Sequence, residues 1–136
     1  MVTDNCYNGS MFHVNDEEFE QIVKQAIDNI PEKYAKNIKN LAFVVETDPN
    51  DEQRQRLKLH QGTTLYGLYE GVPLTNRGAG YNLVLPDKIT IFKNPLELSS
   101  QGLKDLTDKV RHTVWHEVAH YYGLDHNRIH ELENDR

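Results

Sequence analysis

Apolar residues along the chain recur with two periods, and the change from one to the other marks the elements. From Asp16 to Ile30, Phe19, Ile22, Val23, Ala26, Ile27 and Ile30 return at three- and four-residue steps. That spacing predicts a helix with one apolar face, with Asn15 or Asp16 available as its cap. Pro31 ends this helix or begins a short second turn. Residues 40–46, "NLAFVVE", are apolar nearly throughout and rich in branched side chains, which suits a buried strand. The polar stretch 47–62 reads as a loop, with room for one helical turn around Glu52 to Leu59. Residues 63–71 predict a second strand, with Leu65 and Tyr69 on one face and Tyr66 and Leu68 on the other. Two prolines and two glycines make 72–87 a long connection. Residues 88–95, "KITIFKNP", predict a third strand. Helical periodicity resumes from about Leu103 to Tyr122, and Gly123 fits the position just past a helix C-terminus, where positive φ is needed. A last short helix over "HNRIHELEND" is compatible with the pattern. Helix, three strands, helix is the order of a small α+β domain.

The length of 136 residues fits one domain, taken as residues 11–136. Residues 1–10 are polar, and Met11 stands just before the first amphipathic segment, so 1–10 read as a flexible N-terminal extension. With 38% apolar and 26% charged residues, the composition is that of a soluble globular protein. The net charge of −6 argues against a nucleic-acid partner, which calls for a basic face. No run is long and apolar enough for a membrane span, and the N-terminus lacks the basic and apolar regions of a secretory signal. Cys6 is the one cysteine. These features make a reduced, cytoplasmic setting the simplest expectation.

The chemistry is concentrated in "HEVAHYYGLDH", residues 116–126. His116 and His120 lie four apart on the last long helix, so their side chains share a face about 5–6 Å apart at Cβ. Two imidazoles so placed can converge on one ion at roughly 2.0–2.1 Å each. Glu117 leaves the neighbouring edge of that face, within reach of a water on the metal. The break at Gly123 lets the chain turn back to present His126 as a third ligand, leaving a fourth position open, as in catalytic zinc sites. Given the composition, a motif with both Gly123 and His126 arises by chance about once in 10,000 such chains.

This eleven-residue stretch matches the extended zinc signature of the metzincin metallopeptidases, H-E-x-x-H-x-x-G-x-x-H. Together with "GLYEGVPLTNRGAGYNLVLPDKITIFKNPLE" (67–97), it more closely resembles the minimal zincin-like family of short bacterial proteins, from about Met11 onwards. The resemblance implies a zinc-dependent peptidase with one zinc ion per chain, His116, His120 and His126 as ligands, and Glu117 as general base. The implied fold is a short mixed sheet of about three or more strands packed on an N-terminal helix and a zinc-binding helix. Many relatives have aspartate at the position of His126, which makes the adjacent Asp125 an alternative ligand. No methionine follows His126 in this sequence, so the resemblance is to the small version and not to the full metzincin architecture.

The implied substrate is a peptide or protein. A phenol often serves as a second oxyanion donor, and Tyr66, Tyr69, Tyr81, Tyr121 and Tyr122 are the candidates. Each is more readily a core or rim aromatic than a donor. Residues 64–71 form a platform for an extended peptide if they lie at a sheet edge, and bind nothing if they lie inside it. The loop 75–82, "TNRGAGYN", has the glycines of a lid but not the strand-turn-helix setting of a phosphate loop. His112 and His130 stand one turn from the ligands, as supporting groups or as solvated histidines. The competing reading is an inactive zinc-containing binding module, against which the presence of Glu117 speaks.

Overall fold

The computed structural model of the chain describes residues 12–59, 66–71 and 87–123. Five helices and three strands lie among them: α1 (Asp16–Asp28), α2 (Glu32–Ala35), β1 (Leu41–Glu46), α3 (Asp51–Leu59), β2 (Gly67–Glu70), β3 (Asp87–Phe92), α4 (Lys93–Ser99) and α5 (Leu103–Tyr121). The architecture is the mixed α+β arrangement expected. None of these helices is long and apolar enough to cross a membrane.

Asn15, rather than Asp16, caps α1. Its side-chain oxygen accepts from the Glu18 N–H at 2.7 Å, while the Glu18 carboxylate accepts from the Asn15 N–H at 3.3 Å. This reciprocal pair satisfies two of the donors a helix start leaves open. Phe19, Ile22, Val23 and Ala26 form the buried stripe of α1. After Pro31 the chain makes one further helical turn, α2. A second reciprocal cap starts α3: Asn50 accepts from the Gln53 N–H at 2.7 Å and Gln53 from the Asn50 N–H at 2.9 Å. The expected loop with one turn is thus a nine-residue helix. Its polar composition hides it from an apolar-periodicity test, whereas the Asn-x-x-Gln cap marks its start.

The sheet order is β1-β3-β2, with β1 parallel and β2 antiparallel to β3. Among the described residues, the most apolar strand, β1, is therefore at an edge. All six of its residues are half-buried, where the sequence predicts a fully buried strand. The central place belongs to β3, whose Ile89, Thr90, Ile91 and Phe92 are sealed from solvent. This strand ends at Phe92, not at Pro95, and Lys93–Ser99 is helix α4. Pro95 is the third residue of α4, where a backbone N–H would have no intrahelical acceptor, so its missing donor costs nothing. Just before it, Asn94 donates its N–H to the Thr47 carbonyl at 2.9 Å.

One core joins α1, the inner face of the sheet and α5, through Phe19, Ile22, Val23, Ile89, Ile91, Leu96, Leu106, Val110, Val114 and Val118. The start of α1 is also tied to α4 by charge. The buried Glu97 carboxylate accepts from the Val14 N–H at 2.8 Å, lies 3.1 Å from His13 Nδ1 and 3.5 Å from the buried Lys93 ammonium. Lys93 in turn reaches Asp16 at 3.2 Å. The result is a rigid α5 seated across the sheet and lying against β2.

Candidate metal centre

The centre begins with the last two turns of α5. One face of this helix is buried from Leu106 through Val110 and Val114 to Val118, so the residues beside that stripe are placed by the core itself. His116 and His120 sit half-buried at its margin, with ring centroids 4.9 Å apart and planes at 74°. One ligating atom from each of His116, Glu117 and His120 lies within 4.8 Å of the others. Two neutral imidazoles one turn apart are a donor pair suited to zinc. They also stand at the C-terminal end of α5, where the helix dipole favours a cation. Gly123 has φ 83°, the left-handed conformation expected where the helix stops, and its N–H bonds the His120 carbonyl at 2.9 Å.

Glu117, next to these imidazoles, is tucked beneath β2. Its residue is only 3% exposed, so an uncompensated charge there would be costly. One partner is provided: the Tyr69 N–H donates to Glu117 Oε1 at 3.0 Å. Burial pushes the carboxyl up to about 7, and the Tyr69 hydrogen bond opposes that rise. Such a value suits a group that must take up and release a proton near neutrality. A cation between the histidines would favour the charged form and draw it down again.

Close approach of β2 to α5 depends on Gly67. A Cβ there would lie 2.7 Å from Thr113 Cγ2, 3.3 Å from Glu117 Cγ and 3.3 Å from the Thr90 carbonyl oxygen. The Thr113 hydroxyl bonds the Lys109 carbonyl at 2.7 Å, which turns its methyl towards the strand. Gly67→Ala should therefore destabilise the fold by about 1–3 kcal/mol, the usual cost of overpacking. Adding Thr113→Ser, which deletes the obstructing methyl, should recover part of that loss. Urea unfolding of the two variants measures both, and an unaltered midpoint for Gly67→Ala would show that the strand is free to move away.

The remaining candidates divide clearly. Tyr66 and Tyr69 stand on the β2 segment; Tyr66 gives its carbonyl to the Phe92 N–H at 2.8 Å, and the Tyr69 hydroxyl donates to Asp87 Oδ2 at 2.6 Å. The Tyr121 hydroxyl donates to the Lys39 carbonyl at 2.9 Å and accepts the Lys39 N–H at 3.1 Å. Tyr122 donates its hydroxyl to the Tyr34 carbonyl. Both therefore brace the α2–β1 segment. Burial raises the Tyr122 phenol further, so it stays a donor at neutral pH. His112 stacks near His116, with centroids 6.4 Å apart. His126, Asp125, Tyr81, His130, His60 and the loop 75–82 lie outside the described residues.

Gly67, Asp87 and the Tyr69 amide are the parts that motif reading misses. A glycine inside a strand pattern is nonetheless a recognised sign that another element approaches closely, and it stood in "LYGLYEG". As for β2, the sheet order places it at an edge among the described residues.

No curated protein is significantly similar to the chain. Residues 38–136, which include β1–β3, α3–α5 and the whole histidine motif, match the family model of the zincin-like metallopeptidases. That match spans most of the chain, and its name accords with two histidines converging beside a buried glutamate: the chain belongs to the zincin-like metallopeptidase family.

Proposed function

We propose that this protein is a zinc-dependent peptidase, its catalytic unit formed by residues 11–136, with Glu117 as general base and His116, His120 and His126 as metal ligands. The observation that carries this reading is the joint placement of His116, His120 and Glu117, with two imidazoles at the helix margin and a buried carboxyl within 4.8 Å of both. Asp125 is the alternative third ligand. A zinc ion in such a site lowers the pKa of a bound water towards ~7 and polarises the carbonyl under attack. Glu117 takes the proton from the attacking water and passes it to the departing amine. Its Oε1 is held by Tyr69, so the second oxygen is the one that carries the proton.

β2, at an edge of the sheet among the described residues, is the strand against which an extended peptide would align. Phe92 donates to the Tyr66 carbonyl, and the ladder alternates along antiparallel strands, so the backbone groups of Gly67 and Tyr69 face away from β3. The Tyr69, Tyr121 and Tyr122 hydroxyls serve Asp87, Lys39 and Tyr34, so Tyr66 and Tyr81 are the remaining candidates for the oxyanion donor.

The test is digestion of a diverse peptide library by the zinc-loaded protein, read by mass spectrometry, with a chelator-treated sample in parallel. Cleavage confined to the zinc-loaded sample is expected and defines the residues preferred on each side of the bond. Equal products in both samples would rule out a metal-dependent peptidase.

A further inference from the structure

The general base in this fold is gripped from outside its own helix, and the grip can be traced through three residues. Tyr69 N–H, turned away from β3, meets Glu117 Oε1 at 3.0 Å. The phenol of the same Tyr69 crosses the inner face of the sheet to Asp87 Oδ2 at 2.6 Å, on the first residue of the central strand. Tyr69 lies opposite Ile89 in the ladder, so Asp87 is its diagonal neighbour on the same face. Asp87 is buried, and the Tyr69 ring packs edge-on against Tyr121, their centroids 6.1 Å apart. The end of a short edge strand is an element expected to fray. Here its position is set by a hydrogen bond from a side chain to the central, buried strand of the sheet.

We infer that Tyr69 and Asp87 are positioning residues for the peptidase reaction: their hydrogen bond holds the Tyr69 amide against Glu117 and so fixes the orientation of the general base. The inference rests on the reading of Glu117 as that base. Neither side chain need touch the substrate. Tyr69 acts through its own backbone, which is why the type of side chain at residue 69 matters to a bond made by its amide. Without the phenol–carboxylate bond, the end of β2 is free to drift, and Glu117 exchanges between rotamers. Misplacement of a catalytic group on the ångström scale costs up to about a hundredfold in rate.

The experiment compares Tyr69→Phe, Asp87→Leu and Asp87→Asn, each zinc-loaded, in two measurements. The first is amide hydrogen exchange at residue 69. We expect it to quicken about tenfold in Tyr69→Phe and Asp87→Leu. Asp87→Asn keeps an acceptor oxygen for the phenol and should preserve most of the protection. The second is kinetics on the fastest-cleaved peptide of the library, in which kcat should fall about ten- to a hundredfold in the first two variants with KM within about twofold. Zinc affinity, from competition with a chromophoric chelator, should stay at the wild-type value in all three. Unchanged exchange at residue 69 in Tyr69→Phe overturns the inference, as does faster exchange with unchanged kcat. If the wild-type protein cleaves nothing, the peptidase reading fails by itself. The exchange of residue 69, compared between wild type, Tyr69→Phe and Glu117→Ala, then decides whether the grip exists: loss of protection in both variants supports it and retention in either overturns it.

Discussion

Glu117→Gln is expected to lower kcat/KM by about 10²–10⁴-fold while zinc binding is retained. The substitution is nearly isosteric, and the glutamine oxygen still accepts the Tyr69 N–H, so the bond at 3.0 Å survives. What it loses is the ability to take a proton from water. A second consequence separates this residue from an ordinary buried carboxylate. In the metal-free protein Glu117 holds its proton up to about pH 7, whereas the unfolded chain releases it at the ordinary value of 4.5. Between those two values the folded state binds more protons than the unfolded state, so stability falls as pH rises. At ~1.4 kcal/mol for each tenfold change in proton affinity, the loss amounts to about 3 kcal/mol by pH 8. Glu117→Gln has no such slope. Urea unfolding in the presence of a chelator at pH 4.5, 6 and 8 should show wild type losing ground to the variant across that window and no further above it. Parallel curves would mean that the carboxyl is hydrated and not seated under β2, and wild-type turnover by Glu117→Gln would end its role as base.

How far the sequence led can be judged from where residues act locally and where they act across the fold. His116, Glu117, His120 and Gly123 are legible because their geometry follows from helix periodicity alone: four residues make one turn, and a glycine takes the positive φ at its end. The apolar stripes of α1 and α5 are legible for the same reason. Helix α4 was hidden because Pro95 reads as a strand terminator, yet its position within the first turn is one that a helix tolerates. The edge position of β1 was hidden more deeply. "LAFVVE" is as apolar as a central strand, and only the pairing of β3 with both neighbours shows which strand is enclosed. The grip on Glu117 joins Tyr69 to a carboxyl 48 residues further along the chain, with Gly67 allowing the approach and Asp87 holding the Tyr69 phenol. No local pattern encodes such a meeting. It exists because β2 lies against α5, and that depends on the sheet order.

His116→Ala and His120→Ala should each weaken zinc binding by about 10³-fold, roughly one ligand's share of a structural-scale binding energy. The two histidines are half-buried at the helix margin, outside the sealed core, and alanine is a strong helix former, so the folded state should tolerate either change. That tolerance makes the metal the readout. In wild type the melting temperature should climb with added zinc, because an ion that binds only the folded chain stabilises it in proportion to the logarithm of its concentration. In either variant that climb should vanish at micromolar zinc, and hydrolysis should vanish with it. His112→Ala is the informative control. Its ring stacks 6.4 Å from that of His116, so a supporting role would cost about 10–100-fold in affinity and a solvated one nothing. The same titration on His126→Ala and Asp125→Ala assigns the third ligand, since only the true one should reproduce the loss seen for His120→Ala. Full zinc affinity in both His116→Ala and His120→Ala would remove the metal from this helix, and with it the reason for a glutamate buried beneath β2.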